Sequence, residues 1–138
     1  MDIIDAVRAR KSIRGYKPDP VPKKVLRKIL EVASRSPSAM NRQPWDFTVV
    51  TGEVLDNIKQ TNIELLTAEA APNPDVPLKP YESIYRQRQA ELAIQLFKIM
   101  GIAREDKEKR AEWRQRSFRF FDAPAVIILS VDRSIETL

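Results

Sequence analysis

The chain has 138 residues, 43% of them hydrophobic and 31% charged, which is the composition of one soluble globular domain spanning 1–138 rather than a disordered or membrane-spanning chain. It contains no Cys and no His, and its three glycines, Gly15, Gly52 and Gly101, are too scattered for a phosphate-binding glycine loop. That excludes disulfides, thiolate nucleophiles, His-based triads and most transition-metal sites, while the net charge of +5 suits an anionic ligand.

Asp2 is expected to cap a short first helix carrying Ile3, Ile4, Ala6 and Val7. The N-terminus MDIIDAVRARK lacks the layout of a secretory signal, so the expected location is the cytoplasm. A second helix opens near Pro22, with Val25, Leu26, Ile29, Leu30 and Ala33 at amphipathic spacing, and Pro37 ends it. WDFTVV, 45–50, alternates Trp45, Phe47 and Val49 against Asp46, Thr48 and Val50 and reads as a strand. A third helix follows over about residues 53–69, with Val54, Leu55, Ile58 and Leu65 predicted to face inward. Pro72, Pro74, Pro77 and Pro80 make 71–80 an extended loop. Two more helices are predicted, roughly 82–100 and 105–119, with Gly101 as the cap between them. AVIILSV, 125–131, is continuously apolar and reads as a strand buried on both faces.

Such a strand needs neighbours, and one other convincing strand exists. A two-stranded sheet is marginal by itself. Either a partner subunit completes it or the chain is the front part of something longer; the second is the expectation, since the sequence stops seven residues after the strand.

Four stretches could carry chemistry. Arg10, Lys11 and Arg14 surround Ser12, and in an extended chain Arg10, Ser12 and Arg14 project on one side. Arginine forks and a hydroxyl match phosphate oxygens, although a charge run is usually a solvated surface. Residues 1–60 hold 12 basic and 7 acidic side chains and residues 61–138 hold 12 of each, so the whole positive excess lies in the first segment, which contains this cluster. The stretch SPSAMNRQPW, 36–45, offers Ser36, Ser38, Asn41 and Gln43, with Ala39 leaving room for a flat ligand. Its amides could address the edge of a planar heterocycle or simply close a turn, and Trp45 is assigned to the core. Lys79, Pro80 and Tyr81, with Arg86 and Arg88, could start a substrate-facing helix or form an exposed basic face. EWRQRSFRFF, 112–121, interleaves arginine with aromatics; stacking on single-stranded nucleic acid is possible for such a pattern, but the buried side of a helix is preferred.

Taken together, the helix running into ARKSIRGY, the helix ending in SPSAMNRQPWDF and the later FFDAPAVIILSVDR resemble the nitroreductase family of flavoproteins. KPYESIYRQR is similar to the branch acting on nitroaromatic acids. The resemblance covers nearly all of this chain and about the front two-thirds of a typical member. It implies an α+β fold with helices around a mixed or antiparallel sheet, incomplete at the C-terminus, and an extensive homodimer with FMN at the subunit interface. Arg10, Lys11, Ser12 and Arg14 would hold the FMN phosphate and ribityl chain from one subunit. Pro37, Ser38, Ala39 and Asn41, with Gln43 nearby, would approach the isoalloxazine from the other. Tyr81, Arg86 and Arg88 would face substrate. The implied activity is reduction of nitroaromatic or quinone-type acceptors by NAD(P)H, with no side chain required as a catalytic acid or base and no part for metal, membrane or nucleic acid. The pieces absent relative to the family are a C-terminal helix and strand, a loop near the flavin and a basic residue of the phosphate site.

Two rivals remain open. One is a non-catalytic, oligomerising remnant that no longer holds FMN. The other is a basic helical module for nucleic acid, against which the balanced charge of residues 61–138 counts.

Overall fold

Strand β1 (Trp45–Thr51) pairs antiparallel with β2 (Ala125–Val131), Trp45 opposite Val131 and Thr51 opposite Ala125. The computed structural model describes residues 2–75 and 79–135. Besides this two-stranded sheet, the described residues form five α-helices: α1 (Ile3–Ala9), α2 (Lys23–Ala33), α3 (Gly52–Thr67), α4 (Ser83–Ile99) and α5 (Lys107–Phe118). The α+β architecture with an antiparallel sheet is as expected from the sequence.

The passage from β1 to α3 explains where the core sits. Thr51 is still extended (φ −146°), and Gly52 reverses the chain at φ +58°, a conformation that side chains other than glycine rarely adopt. With no loop between them, α3 folds straight back over the sheet. Leu55, in its first turn, is 1% exposed; Val50, Leu26 and Ala123 complete the small set of buried apolar residues among those described. Lys59 of α3 donates a hydrogen bond to the Ala123 carbonyl at 3.0 Å and pairs with Asp56 at 3.6 Å, fixing the entry to β2.

Several sequence-based expectations are corrected. β2 is not buried on both faces: its first three residues are half-buried, whereas Ile128, Leu129 and Val131 are exposed. The apolar run outlasts the cover that α3 can provide, because no further strand lies beside β2 among the described residues. Val54 and Leu65 point outward, since α3 meets the sheet along one narrow stripe through Leu55 and Ile58. On α2, Leu26 is buried and Leu30 half-buried, while Val25 and Ile29 are exposed on a second apolar face beside Val32. Along β1, Trp45 and Phe47 are half-buried as alternation predicts, but Val50 is buried and Val49 exposed because α3 folds over the strand's end. Asp2 stands at the α1 N-cap without a side-chain capping bond, and Pro22 precedes α2 rather than occupying its first turn. Gly101 does follow α4 in the left-handed conformation (φ +65°) that suits a helix end. Of the proline-rich loop, 71–75 and 79–80 carry no regular element, and Pro77 lies outside the described residues.

Candidate functional site

After α1 the chain enters a stretch with no regular element, so Arg10, Lys11, Ser12 and Arg14 lie on an extended connector rather than at a helix-to-strand junction. Arg10 Nη1 donates to Ser12 Oγ at 3.3 Å, and Arg14 Nη1 reaches the Ser12 carbonyl at 3.5 Å. All four residues are exposed, and none of their cations pairs with a carboxylate among the described residues. Solvated cations without a carboxylate partner, beside a hydroxyl, suit an anion.

The second stretch is shaped by its own side chains. Residues Ala39–Asn41 form a single 3-10 turn, and Met40, Asn41 and Gln43 all have left-handed backbones (φ 54°, 53° and 47°). Such conformations cost about 1–2 kcal/mol per residue outside glycine, with asparagine the most tolerant. The turn is held by Ser38 Oγ, which accepts the Gln43 N–H at 2.9 Å, and by Gln43 Nε2, which donates to Asn41 Oδ1 at 3.2 Å. Asn41 Nδ2 and Gln43 Oε1 remain free of partners among the described residues, one donor and one acceptor side by side. Pro37 and Ala39 are exposed and contribute backbone without bulk. Trp45 is half-buried at the start of β1, consistent with a core position.

No hydrogen bond or ion pair joins these two stretches among the described residues. Nor do they share a cleft: only Arg14 of the two sets lines one of the five main clefts. Of the third set, Tyr81 and Arg86 line a shallow cleft of 540 Å³ with Lys79, Pro80 and Gln89, and Arg88 stands outside it.

The fourth stretch holds what sequence reasoning missed. α5 is not simply buried on its aromatic side. Trp113 and Phe121 are half-buried with ring centroids 6.3 Å apart, and Arg14 lies over the Phe121 ring at 5.9 Å. Arg116 lies over Trp113 at 5.3 Å and donates through Nη2 to the Arg14 carbonyl at 3.0 Å. The interleaving of arginine with aromatics was the visible signal; its partner 102 residues away was not.

Comparison with known proteins gives these observations a family. The model of the nitroreductase family matches residues 7–137. Nitrobenzene nitroreductase of Ectopseudomonas oleovorans is 36% identical over 138 residues, covering 97% of this chain and 60% of that protein. A 4-nitrobenzoate reductase of Nocardioides sp. (strain LMS-CY) is 31% identical over 140 residues, covering 93% of this chain and 54% of that protein. The crystal structure of the FMN-dependent nitroreductase NfnB from Mycobacterium smegmatis in complex with NADPH superposes with a TM-score of 0.86 at 28% identity, over 98% of this chain and 63% of that one. The chain thus spans about three fifths of the length of the curated relatives it matches. By family model, sequence identity and shared fold, it belongs to the nitroreductase family.

Proposed function

We propose that this chain carries the cofactor-binding segments of an FMN-dependent oxidoreductase that reduces nitroaromatic compounds with NAD(P)H. The observation that carries the reading is the convergence of Arg10 and Arg14 on Ser12, exposed and without a carboxylate partner among the described residues. The donor set fits a phosphate monoester: two guanidinium forks, an ammonium on Lys11 and a hydroxyl, in a chain whose glycines cannot form a phosphate loop. The Pro37–Gln43 loop fits a flat heterocycle, because Ala39 and Pro37 admit a ring against backbone while Asn41 Nδ2 and Gln43 Oε1 present a donor and an acceptor to its edge.

The separation of these two sets within one copy supports a homodimer. One subunit would supply the cation–serine cluster and its partner the amide loop, so that the cofactor lies between them. When bound, FMN supplies the redox chemistry, carrying electrons from NAD(P)H to a nitro or quinone acceptor. The chain's own residues anchor, orient and polarise. Donors aimed at the ring's polar edge favour negative charge there. The Tyr81–Arg86 cleft, with the charges of Lys79 and Arg86, would draw acidic nitroaromatics. The 4-nitrobenzoate reductase relative supports that substrate class.

A visible absorption spectrum of the purified protein, followed by flavin titration, tests this directly. The wild-type chain is expected to take up FMN, and the double change Arg10→Ala with Arg14→Ala to weaken it about a hundredfold, as loss of two charge-assisted contacts implies. Its cooperative unfolding should survive. A colourless chain that ignores added FMN, or a double variant with unchanged affinity, would sink the assignment.

A further inference from the structure

The connector from Arg10 to Pro22 is fully exposed apart from Val21 and has almost nothing to hold it. Between the Arg10 N–H, bonded to the Val7 carbonyl, and the Pro22 carbonyl, which opens α2, its backbone makes no hydrogen bond to other backbone among the described residues. The side-chain bonds within it are local, over two or three residues. One hydrogen bond among the described residues ties it to a distant element, the 3.0 Å bond from Arg116 Nη2 to the Arg14 carbonyl.

We infer that Arg116 is a positioning residue for the Arg10–Ser12–Arg14 cluster, acting on it through Arg14; this rests on the reading of that cluster as the FMN phosphate site. Four contacts close a ring. Arg116 bonds the Arg14 carbonyl and lies over Trp113, Trp113 meets Phe121 at 6.3 Å, and the Arg14 guanidinium lies over Phe121 at 5.9 Å. Arg14 is therefore gripped at both its backbone and its side chain, and its Nη1 also reaches the Ser12 carbonyl. Arg10, Lys11 and the Ser12 hydroxyl are presented beside it, and the Arg14 Nε and Nη2 donors, without a hydrogen-bond partner among the described residues, remain for the anion.

The neighbouring arginines cannot substitute. Arg110 lies over Phe97 at 4.7 Å and bonds the Arg104 carbonyl, and Arg114 is exposed. Phe121 is placed under Arg14 by a costly turn: Phe120, Phe121 and Asp122 are all left-handed (φ 54°, 53° and 58°), locked by Arg119, which forks onto the Asp122 carboxylate. Arg116 need not touch the cofactor. It fixes where the cluster stands, and a fixed cluster binds without first having to be ordered.

Three variants and two readouts test this. Arg116→Gln is expected to raise the FMN dissociation constant about tenfold, in the range seen when the support of a binding group is removed. Arg116→Lys keeps a donor but not the planar stack and should fall between. Because Arg116 acts through the cluster, the loss in Arg10→Ala with Arg116→Gln should fall short of the sum of the two single losses, a non-additive cycle. Independently of flavin, backbone 15N order parameters at Ser12–Gly15 of the cofactor-free chain should fall in Arg116→Gln while those of β1 and α3 hold. Unchanged FMN affinity in Arg116→Gln, a fully additive double variant, unchanged order parameters at Ser12–Gly15, or order parameters falling throughout β1 and α3 would each overturn the inference. A wild-type chain that binds no FMN overturns the cofactor reading and this inference with it, and the order parameters then still report whether the clamp exists.

Discussion

The unit formed by β1, α3 and β2 and the connector from Arg10 to Tyr16 are ordered by opposite means. In the first, a seven-pair antiparallel ladder and the burial of Leu55, Val50 and Ala123 act together, and backbone groups are satisfied by regular pairing. In the second, Ile13 and Tyr16 stay exposed, no ladder exists, and position is set by arginine: a hydrogen bond to Arg14 and a stack on Phe121. The residues richest in binding chemistry therefore stand where the hydrophobic core contributes least. α5 links the two regions, since its Trp113 and Arg116 serve the connector while the Phe118 carbonyl accepts a hydrogen bond from Asn62 of α3.

The sharpest way to break this contrast is at Leu55. Its replacement by Ala removes the one large side chain that is almost wholly buried among the described residues and should cost about 2–5 kcal/mol, read from chemical unfolding. A loss under about 1 kcal/mol would mean that the β1–α3–β2 unit is not the stabilising centre.

The same contrast explains what the sequence made legible. Helix and strand existence followed from periodicity and punctuation, and the positions of Pro22, Pro37 and Gly101 located helix limits, because those signals are local. The local bonds of Arg10 and Arg14 to Ser12 lie within a cluster the sequence already marked by its crowding of cations around a hydroxyl. Burial was less so. An apolar pattern names the residues able to enter a core, but the cover itself comes from other elements, and Leu65 and Leu129 both remain exposed for want of it. The Arg116–Arg14 bond was invisible because nothing in a local pattern announces a partner 102 residues away.

A smaller effect separates the two kinds of ion contact inside the ordered unit. Lys59→Met keeps the side chain's apolar stem but removes the donor to the Ala123 carbonyl, and should cost about 1–2 kcal/mol as a lost charge-assisted bond beside a buried residue. Asp56→Ala removes only the Lys59 ion pair, whose carboxylate is 73% exposed, and should change stability by less than about 0.5 kcal/mol. Equal effects in the two variants would show that the Lys59–Ala123 bond does not hold α3 to β2.

The smallest effect should come from acid, at the far end of α5. Asp106 caps this helix, and its carboxyl is held below the usual carboxylate value chiefly by the Lys109 backbone N–H at 3.0 Å, with the Lys109 side chain adding a bond and an opposite charge. A carboxyl whose folded value is depressed contributes stability that is fully present above the ordinary 3.8 and is lost as the pH falls through the lower folded value. Acidification below 3.8 should therefore release the first turn of α5, seen as faster amide exchange at Glu108–Arg110. Asp106→Asn, which keeps the acceptor without the charge, should abolish that pH dependence while retaining the cap. Protection around Arg116, more than two turns beyond the cap, should persist over the same range. If it falls together with the first turn, α5 opens as one piece, and the connector's anchor is then no more secure than the helix end.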